Sequence, residues 1–232
     1  LQAAKRRECD PIVIGGGPCS YNPEPIADFF DLFYIGEGET QYRRLLDIYK
    51  ENKKTGGSRL DFLQKASELP GIYVPSFYEE EYNPDGTIKG RKKRYDKAPD
   101  TILKEIVMDV SDTYYPTKPV VPFIQVTQDR AVLEIQRGCI RGCRFCQAGQ
   151  LYRPVRERNV SVLKQYALEM LRNSGHEEIS LSSLSSSDYS ALDELLQFLL
   201  QECKEKYINI SLPSLRKRAR QSYLTDHRCP EC

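Results

Sequence analysis

Short apolar runs that end in glycine-rich turns open the chain. One run at 11–14 leads into Gly15-Gly16-Gly17, and a second at 31–35 leads into Gly36-Glu37-Gly38. Each run predicts a buried strand entering a tight turn. Helices are predicted at 23–30 and 40–49, with a polar linker at 51–58. This alternation predicts an α/β fold in which residues 1–49 are the end of a doubly wound (Rossmann-like) domain.

The pattern is less regular over residues 50–129, which are predicted to be a connector. A short helix is expected at 60–69, and a β-hairpin at 72–82 and 87–95 around Asp85-Gly86, because this pair supplies the positive φ angles that the turn needs. Six basic residues lie at 89–97. They favour a solvated edge strand protected by charge over an RNA contact, which is the second interpretation.

Regular alternation returns after Arg130. Strands are predicted at 131–136, 178–184 and 207–212, separated by helices at 160–173 and 189–203. Three strands alternating with two helices predict parallel pairing through crossovers, as in the first half of a parallel (β/α) barrel over residues 130–215. The pattern stops in an atypical tail at 216–232. Because the chain also begins at Leu1, we expect a fragment of a longer protein.

Composition and charge narrow the function only slightly. The 232 residues are 40% hydrophobic and 29% charged, with a net charge of +1, which indicates a globular protein and no particular partner. Apolar runs stay far below the roughly 20 residues that cross a bilayer, so no membrane association is expected. Three of the eight cysteines crowd into 139–146 without a secretion signal. This favours metal ligands in a reducing compartment, which predicts the cytoplasm.

The clustered thiols have a spacing suited to an iron–sulfur site. Cys139, Cys143 and Cys146 follow a predicted strand as C-x3-C-x2-C, and thiolates are the usual protein ligands of iron–sulfur clusters. Glycines that permit a tight turn and arginines that favour thiolate surround them: Gly138, Gly142, Arg137, Arg141 and Arg144. Three protein ligands leave one iron of a four-iron cluster open, as catalytic metal sites do.

The spacing, with the aromatic Phe145 and the preceding strand, resembles the radical S-adenosylmethionine (radical SAM) superfamily. The resemblance implies a 4Fe-4S cluster on Cys139, Cys143 and Cys146, with S-adenosylmethionine (SAM) at the open iron beside Phe145. It implies reductive cleavage of SAM to a 5′-deoxyadenosyl radical, an electron donor of the flavodoxin or ferredoxin type, and a substrate that the sequence does not identify. No catalytic side chain is identified.

A weaker part of the resemblance concerns SAM itself. In the family, the second barrel strand ends in a Gly-Glu-like pair that contacts the SAM amino group. The corresponding segment at 179–185 has neither residue, so Ser183 and Ser185 are the candidate contacts. An ordinary strand-to-helix turn with Ser187 or Asp188 as the helix N-cap explains the serines equally well.

The N-terminal segments at 13–18, 22–25 and 36–39 resemble the end of a cobalamin-binding-type domain in one radical SAM subclass. The runs at 153–158 and 182–189 resemble an uncharacterised branch of it. The resemblance implies that Gly15, Gly16 and Gly36 let the backbone approach a cofactor, which makes cobalamin a candidate. The sequence lacks the Asp-x-His-x-x-Gly loop that places a histidine on cobalt, and glycines that only shape turns are an equal alternative.

An alternative from another class is a zinc-binding structural or RNA-binding module. In it, the three clustered thiols are joined by Cys229, Cys232 or His227, because zinc takes four nitrogen or sulfur ligands. Pairs of C-x-x-C are the usual zinc ribbon pattern, whereas three cysteines form the first cluster here. The spacing therefore favours the iron–sulfur interpretation.

Overall fold

The computed structural model describes residues 1–124 and 126–215, and the chain divides into two compact units, Leu1–Val107 and a second that begins at Met108. The first contains β1 (Ile14–Gly15), β2 (Leu32–Tyr34), α1 (Gly38–Lys54), α2 (Arg59–Ser67), β3 (Ile72–Tyr73), β4 (Tyr78–Tyr82) and β5 (Ile88–Lys93). The second contains β6 (Ala131–Glu134), β7 (Gln136–Arg137), α3 (Ala148–Leu151), β8 (Arg156–Glu157), α4 (Val160–Ser174), β9 (Glu178–Ser182), α5 (Leu192–Lys204) and β10 (Asn209–Ser211). The predicted tail at 216–232 lies outside the described residues.

The first unit is built on a three-stranded mixed sheet. β1 pairs with β2 in parallel, and β2 pairs with β3 antiparallel. The segment between β1 and β2 forms 3-10 helices at Pro18–Tyr21 and Glu24–Phe29 instead of the predicted helix at 23–30. The segment Glu24–Phe29 is only six residues long, and an α-helix has a costly nucleus, so a run this short gains little from α-helical hydrogen bonds. The parallel pair fits an α/β fold, and a Rossmann-like domain stays a prediction.

Helix α1 is longer than expected, so the polar linker predicted at 51–58 is wrong over 51–54, and residues 55–58 connect α1 to α2. The helix continues to Lys54 because the lysine, glutamate and asparagine residues at its end can adopt the helical conformation at little cost. Asn52 is buried in this last part of the helix. The amide of Asn52 donates to the carbonyls of Gly57 and Ser58 at 3.2 and 2.9 Å. α2 then begins with a capping box, in which Ser58 and Asp61 each bind the other's backbone N–H.

The expected hairpin is formed by β4 and β5, which pair antiparallel around Gly86 at φ +82°. The residues at 72–73 instead leave the predicted hairpin and join β2 as β3. Four of the six basic residues at 89–97 form ion pairs with carboxylates: Lys89 with Glu81, Arg91 with Glu24 and Glu80, Lys93 with Asp100, and Arg94 with Glu79. These pairs offset most of the positive charge, and an RNA contact stays a prediction.

The second unit contains the predicted parallel strands. They form a sheet in the order β10-β9-β6, in which Leu133 lies opposite Leu181 and Ile179 opposite Ile210. α4 and α5 cover the sheet, and their apolar stripes are buried against it. α4 begins at the N-cap Asn159 and ends at Gly175, which takes the left-handed conformation usual for that position. The parallel arrangement confirms this part of the sequence prediction.

Two features of the second unit differ from the prediction. The strand predicted at 131–136 splits into β6 and β7, because Gln136 and Arg137 change partner and pair antiparallel with β8. α5 begins at Leu192 rather than near 189, after a 3-10 turn at Ser186–Asp188. Among the described residues, every helix is too short or too polar to cross a membrane.

Candidate functional site

All three clustered cysteines lie on one loop at the carboxyl end of β6 and β7. We call residues 138–147 the cysteine loop. Cys139, Cys143 and Cys146 carry free thiols, and each is half-buried. In parallel sheets, the loops at the carboxyl ends of the strands are where ligands bind. The loop therefore presents three accessible thiols at the edge of the sheet where a ligand is expected.

Glycine is required at the start of the cysteine loop. Gly138 has φ +84°, and a Cβ there would lie 2.6 Å from the carbonyl oxygen of Tyr152 and 2.8 Å from that of Pro154. Both obstacles are backbone atoms, so a side chain cannot be accommodated by a rotamer change. Gly142 also has a positive φ, at +59°. The tight path predicted for this backbone is present, and the pairing of β7 with β8 is its cause.

Backbone N–H groups are directed at the far end of the loop. The amide of Cys146 donates to the carbonyl of Cys143 at 3.0 Å, and the amide of Gly149 donates to Cys146 Sγ at 3.4 Å. Hydrogen bonds to cysteine sulfur stabilise thiolate and tune a bound metal centre. The sulfur of Cys146 thus accepts a hydrogen bond from the backbone.

The three arginines of the segment have different surroundings. Arg137 forms an ion pair with Glu134 at 3.0 Å. The guanidinium of Arg141 contacts both carboxylate oxygens of Asp188. The Asp188 carboxylate raises the pKa of Arg141, and the thiols of Cys139 and Cys143 raise it further. Arg144 is exposed and makes no ion pair with any residue in 1–124 or 126–215. The charge of Arg141 therefore interacts with two of the thiols.

A second loop lies beside the cysteine loop, at the carboxyl end of β9. We call residues 183–190 the serine turn. Its backbone is tied to β7, where Gln136 Nε2 donates to the Ser185 carbonyl at 2.8 Å. It is also tied to the residues after β10, where the Ser186 hydroxyl donates to the Pro213 carbonyl at 2.7 Å. The turn thus connects the carboxyl ends of the parallel strands.

Two polar atoms at this junction are buried without a hydrogen-bond partner in the described part of the chain. They are Gln136 Oε1 and the Ser185 hydroxyl. The Ser183 hydroxyl, by contrast, shares a hydrogen bond of 3.0 Å with Ser186. An unpaired buried polar atom costs about 1–3 kcal/mol, so native proteins rarely leave one without a ligand or water. Ser185 therefore has a buried hydroxyl that no described residue satisfies.

Comparison with known proteins indicates the superfamily that this chain resembles. Residues 133–223 match the family model of the radical SAM superfamily, and residues 1–75 match that of radical SAM proteins, N-terminal. These matches support the radical SAM superfamily. The chain is also 29% identical over 217 residues to the uncharacterized protein MJ0966 of Methanocaldococcus jannaschii, covering 93% of this chain and 40% of that protein. No solved structure matches the chain.

The cysteine loop fits the cofactors of the radical SAM superfamily, which are a 4Fe-4S cluster and SAM. Among residues 1–124 and 126–215, no three His, Cys, Asp or Glu side chains converge on a single ion. A four-iron cluster does not require such convergence, because each thiolate binds a different iron. Zinc does require it, since four ligands meet at one ion. The zinc module is not favoured, and its remaining ligands Cys229, Cys232 and His227 lie outside the described residues.

Other predicted contact residues are placed but not tested by these observations. Phe145 is 91% exposed on the cysteine loop. In the first unit, a Cβ on Gly15 would lie 2.4 Å from the Phe33 ring, and one on Gly36 would lie 2.3 Å from the Glu105 carbonyl oxygen. Gly16 has only the Tyr34 carbonyl within 4.0 Å of such a Cβ. Packing within the unit therefore explains Gly15 and Gly36 without a cofactor.

Sequence reasoning missed several residues of the second unit. Asp188, which was considered as an N-cap, binds Arg141 instead, because α5 begins later at Leu192. Arg158 is buried and contacts the Glu134 carboxylate at 3.2 Å, and Gln136 is buried against Ser185. These contacts join residues far apart in the chain. Arg158 is the last residue of the run at 153–158 that resembles the family, but no local pattern in the sequence marks it as a buried residue.

Proposed function

We propose that this chain is the part of a radical SAM enzyme that holds a 4Fe-4S cluster through Cys139, Cys143 and Cys146 and reductively cleaves SAM. The observation that carries the proposal is the set of three free, half-buried thiols on one glycine-dependent loop at the carboxyl end of β6 and β7. When bound, such a cluster supplies the electron that splits SAM into methionine and a 5′-deoxyadenosyl radical. The substrate of that radical is not identified.

The protein's own residues have separate roles in this proposal. The Gly149 N–H and the Arg141 guanidinium stabilise negative charge on the cysteine sulfurs. The Ser185 hydroxyl, which lacks a partner among the described residues, is the proposed polar contact for SAM, with Ser183 as the second candidate. Phe145 is proposed to cover the bound SAM, since it is an exposed aromatic ring beside the thiols.

Three further parts of the proposal concern the whole protein. The chain spans 40% of the length of the relative that it matches, and the activity and partners of the whole protein are proposals. An electron donor of the flavodoxin or ferredoxin type is the proposed partner. Cobalamin bound by the N-terminal unit and a cytoplasmic location are proposed on the resemblance and on the clustered free thiols.

Anaerobic reconstitution with iron and sulfide tests the proposal. We expect the chain to turn brown, to retain a 4Fe-4S complement after desalting, and to form 5′-deoxyadenosine and methionine from SAM under reducing conditions. Alanine at Cys139, Cys143 or Cys146 is expected to abolish cluster retention. Cys9→Ala is the matched control, because Cys9 is an exposed thiol that is not part of the cysteine loop.

Two outcomes would overturn the assignment. One is a colourless protein that takes up zinc and no iron–sulfur cluster. The other is full cluster retention in all three single cysteine variants. Adding cobalamin to parallel samples tests the N-terminal part separately, since a bound corrinoid has its own visible spectrum.

A further inference from the structure

One ion pair links the cysteine loop to the serine turn. Arg141 Nε lies 2.7 Å from Asp188 Oδ2, and Arg141 Nη2 contacts Asp188 Oδ1. The planar guanidinium thus binds both carboxylate oxygens at once. This two-point geometry holds a carboxylate in one orientation, which a lysine cannot do.

The pair is more enclosed than an ordinary surface ion pair. The Asp188 side chain is 9% exposed, whereas that of Arg141 is 42% exposed. A carboxylate largely removed from water depends on its partner to balance its charge. Arg141 therefore holds Asp188 more firmly than it would hold a fully exposed carboxylate. The orientation of the serine turn consequently depends on the position of the cysteine loop.

Arg141 stands between two of the proposed cluster ligands. It is two residues from both Cys139 and Cys143 on the same short loop. A cluster bound by these thiols would change the charge next to Arg141, which is also paired with Asp188. A change on the loop is consequently transmitted to the turn through one side chain.

The serine turn is the segment on which such a change matters. It carries Ser183 and Ser185, the proposed SAM contacts, and Asp188 lies three residues beyond Ser185. Two hydrogen bonds order its amides: Asp188 N–H donates to the Ser185 carbonyl within the turn at 3.0 Å, and Ser190 N–H donates to Glu157 Oε1 of β8 at 3.0 Å. The orientation of Asp188 thereby affects the backbone that presents Ser185.

We infer that Arg141 and Asp188 are a positioning pair that couples the cysteine loop to the serine turn, so that loading the cysteines orders the turn that receives SAM. This inference rests on the proposed function, because it assigns the cluster to the loop and SAM to the turn. By reciprocity, ligand bound at the turn also favours retention of the cluster on the loop.

Hydrogen–deuterium exchange of the serine turn tests the coupling without measuring activity. In the wild-type chain, we expect cluster loading to slow exchange of the amides at 188–190 by about fivefold, the scale of one partly buried ion pair. In Asp188→Asn and in Arg141→Lys, the turn is expected to exchange at the same rate with and without the cluster. Asp188→Glu keeps the charge and is expected to restore part of the response.

The matched control is Glu178→Gln, which breaks an ion pair of the same kind elsewhere in the unit. Arg130 Nη1 lies 2.8 Å from Glu178 Oε1, at the amino ends of β6 and β9. This variant is expected to keep the wild-type response. A general loss of stability would alter all variants alike, whereas the coupling predicts a loss confined to the Arg141 and Asp188 variants.

The outcomes separate this inference from the proposed function. A wild-type chain that takes up no cluster overturns the proposed function, and the coupling with it. A wild-type chain that loads its cluster, and whose turn responds equally in Asp188→Asn and Arg141→Lys, overturns the coupling alone. Electron paramagnetic resonance of the reduced cluster, with and without SAM, provides a second readout, in which the SAM-induced change is expected to be smaller in both variants.

Discussion

The hydroxyl of Tyr115 accepts a hydrogen bond from the Glu134 N–H at 2.9 Å. It also donates to the Val132 carbonyl at 2.7 Å, so one side chain satisfies two backbone groups along the outer edge of β6. β6 lies at the end of the three-stranded sheet and has β9 on its other side. An unpaired strand edge is open to pairing with other chains. Tyr115 therefore takes the place of a neighbouring strand just before the cysteine loop.

Tyr115→Phe isolates the contribution of this hydroxyl. The phenylalanine ring keeps the stacking on Tyr166, whose centroid is 5.3 Å away, and the contact with the Arg158 guanidinium at 4.9 Å. The variant leaves the Val132 carbonyl and Glu134 N–H without their partner, which costs about 1 kcal/mol of unfolding free energy. We expect the Glu134 amide to exchange faster with solvent, as measured by nuclear magnetic resonance.

Tyr114→Phe is the control for that substitution, because the adjacent Tyr114 is 85% exposed. It is expected to leave both the unfolding free energy and the Glu134 exchange rate unchanged. Equal exchange rates at Glu134 in the Tyr115 variant and the wild type would contradict the edge-covering role.

Gly138→Ala is expected to disrupt the cysteine loop. The residue has φ +84°, and the new Cβ would meet the carbonyl oxygens of Tyr152 and Pro154 within 2.8 Å. Strain and overlap together are expected to lower the unfolding free energy by about 3 kcal/mol or more. Chemical denaturation measures this loss, and iron retained after reconstitution measures the effect on the cysteines.

Gly175→Ala separates the two causes of that loss. Gly175 also has a positive φ, at +70°, but nothing lies within 4 Å of its ideal Cβ. Its substitution is expected to cost only about 1 kcal/mol, the strain of the left-handed conformation, and to leave iron retention unchanged. A Gly138 variant no less stable than the Gly175 variant would show that the predicted overlap relaxes without cost.

Tyr189 is expected to make stability fall at alkaline pH. Burial raises its pKa to about 12, and the nearby Glu157 and Glu194 charges add to the rise. In the unfolded chain the pKa of this tyrosine has its ordinary value near 10. Between about pH 10 and pH 12, ionisation of the side chain therefore favours the unfolded state. The stabilisation is fully present below pH 10 and is lost as the pH rises through 12. The difference between the two pKa values limits this loss to about 3 kcal/mol.

Tyr189→Phe tests this pH dependence. The wild-type hydroxyl donates to the Arg158 carbonyl at 2.8 Å, so the variant is expected to be about 1 kcal/mol less stable at pH 8. The difference is expected to vanish near pH 11 and to reverse above it, because the wild type alone carries the ionisable group and loses up to about 3 kcal/mol. Unfolding free energies measured at pH 8, 10 and 11 check the trend. A difference that stays constant over that range would contradict the raised pKa.

Local patterns in the sequence were sufficient for much of the second unit. The apolar stripe of α4 repeats within one or two turns, so periodicity predicted the helix at 160–173, close to its observed ends. The strand before the cysteines and the spacing of Cys139, Cys143 and Cys146 are equally local. These features led to the same superfamily that the family models support.

Contacts between distant residues could not be predicted in the same way. β3 joins β2 antiparallel although its residues continue the apolar pattern of the hairpin, because the pairing depends on where the chain returns. Polar residues at the end of α1 suggested a linker, yet burial of Asn52 keeps them helical. Sequence periodicity contains no information about which partner a strand or a polar side chain will meet.

For the candidate site, the sequence alone determined which donor groups lie close together, namely three thiols at a short spacing on a glycine-rich loop. Only the tertiary structure decided how that loop is held. Asp188 meets Arg141 across 47 residues, and Gln136 meets Ser185 across 49. Such contacts arise because parallel strands bring their carboxyl ends together, and the packing of the sheet, rather than any local pattern, selects which side chains become neighbours.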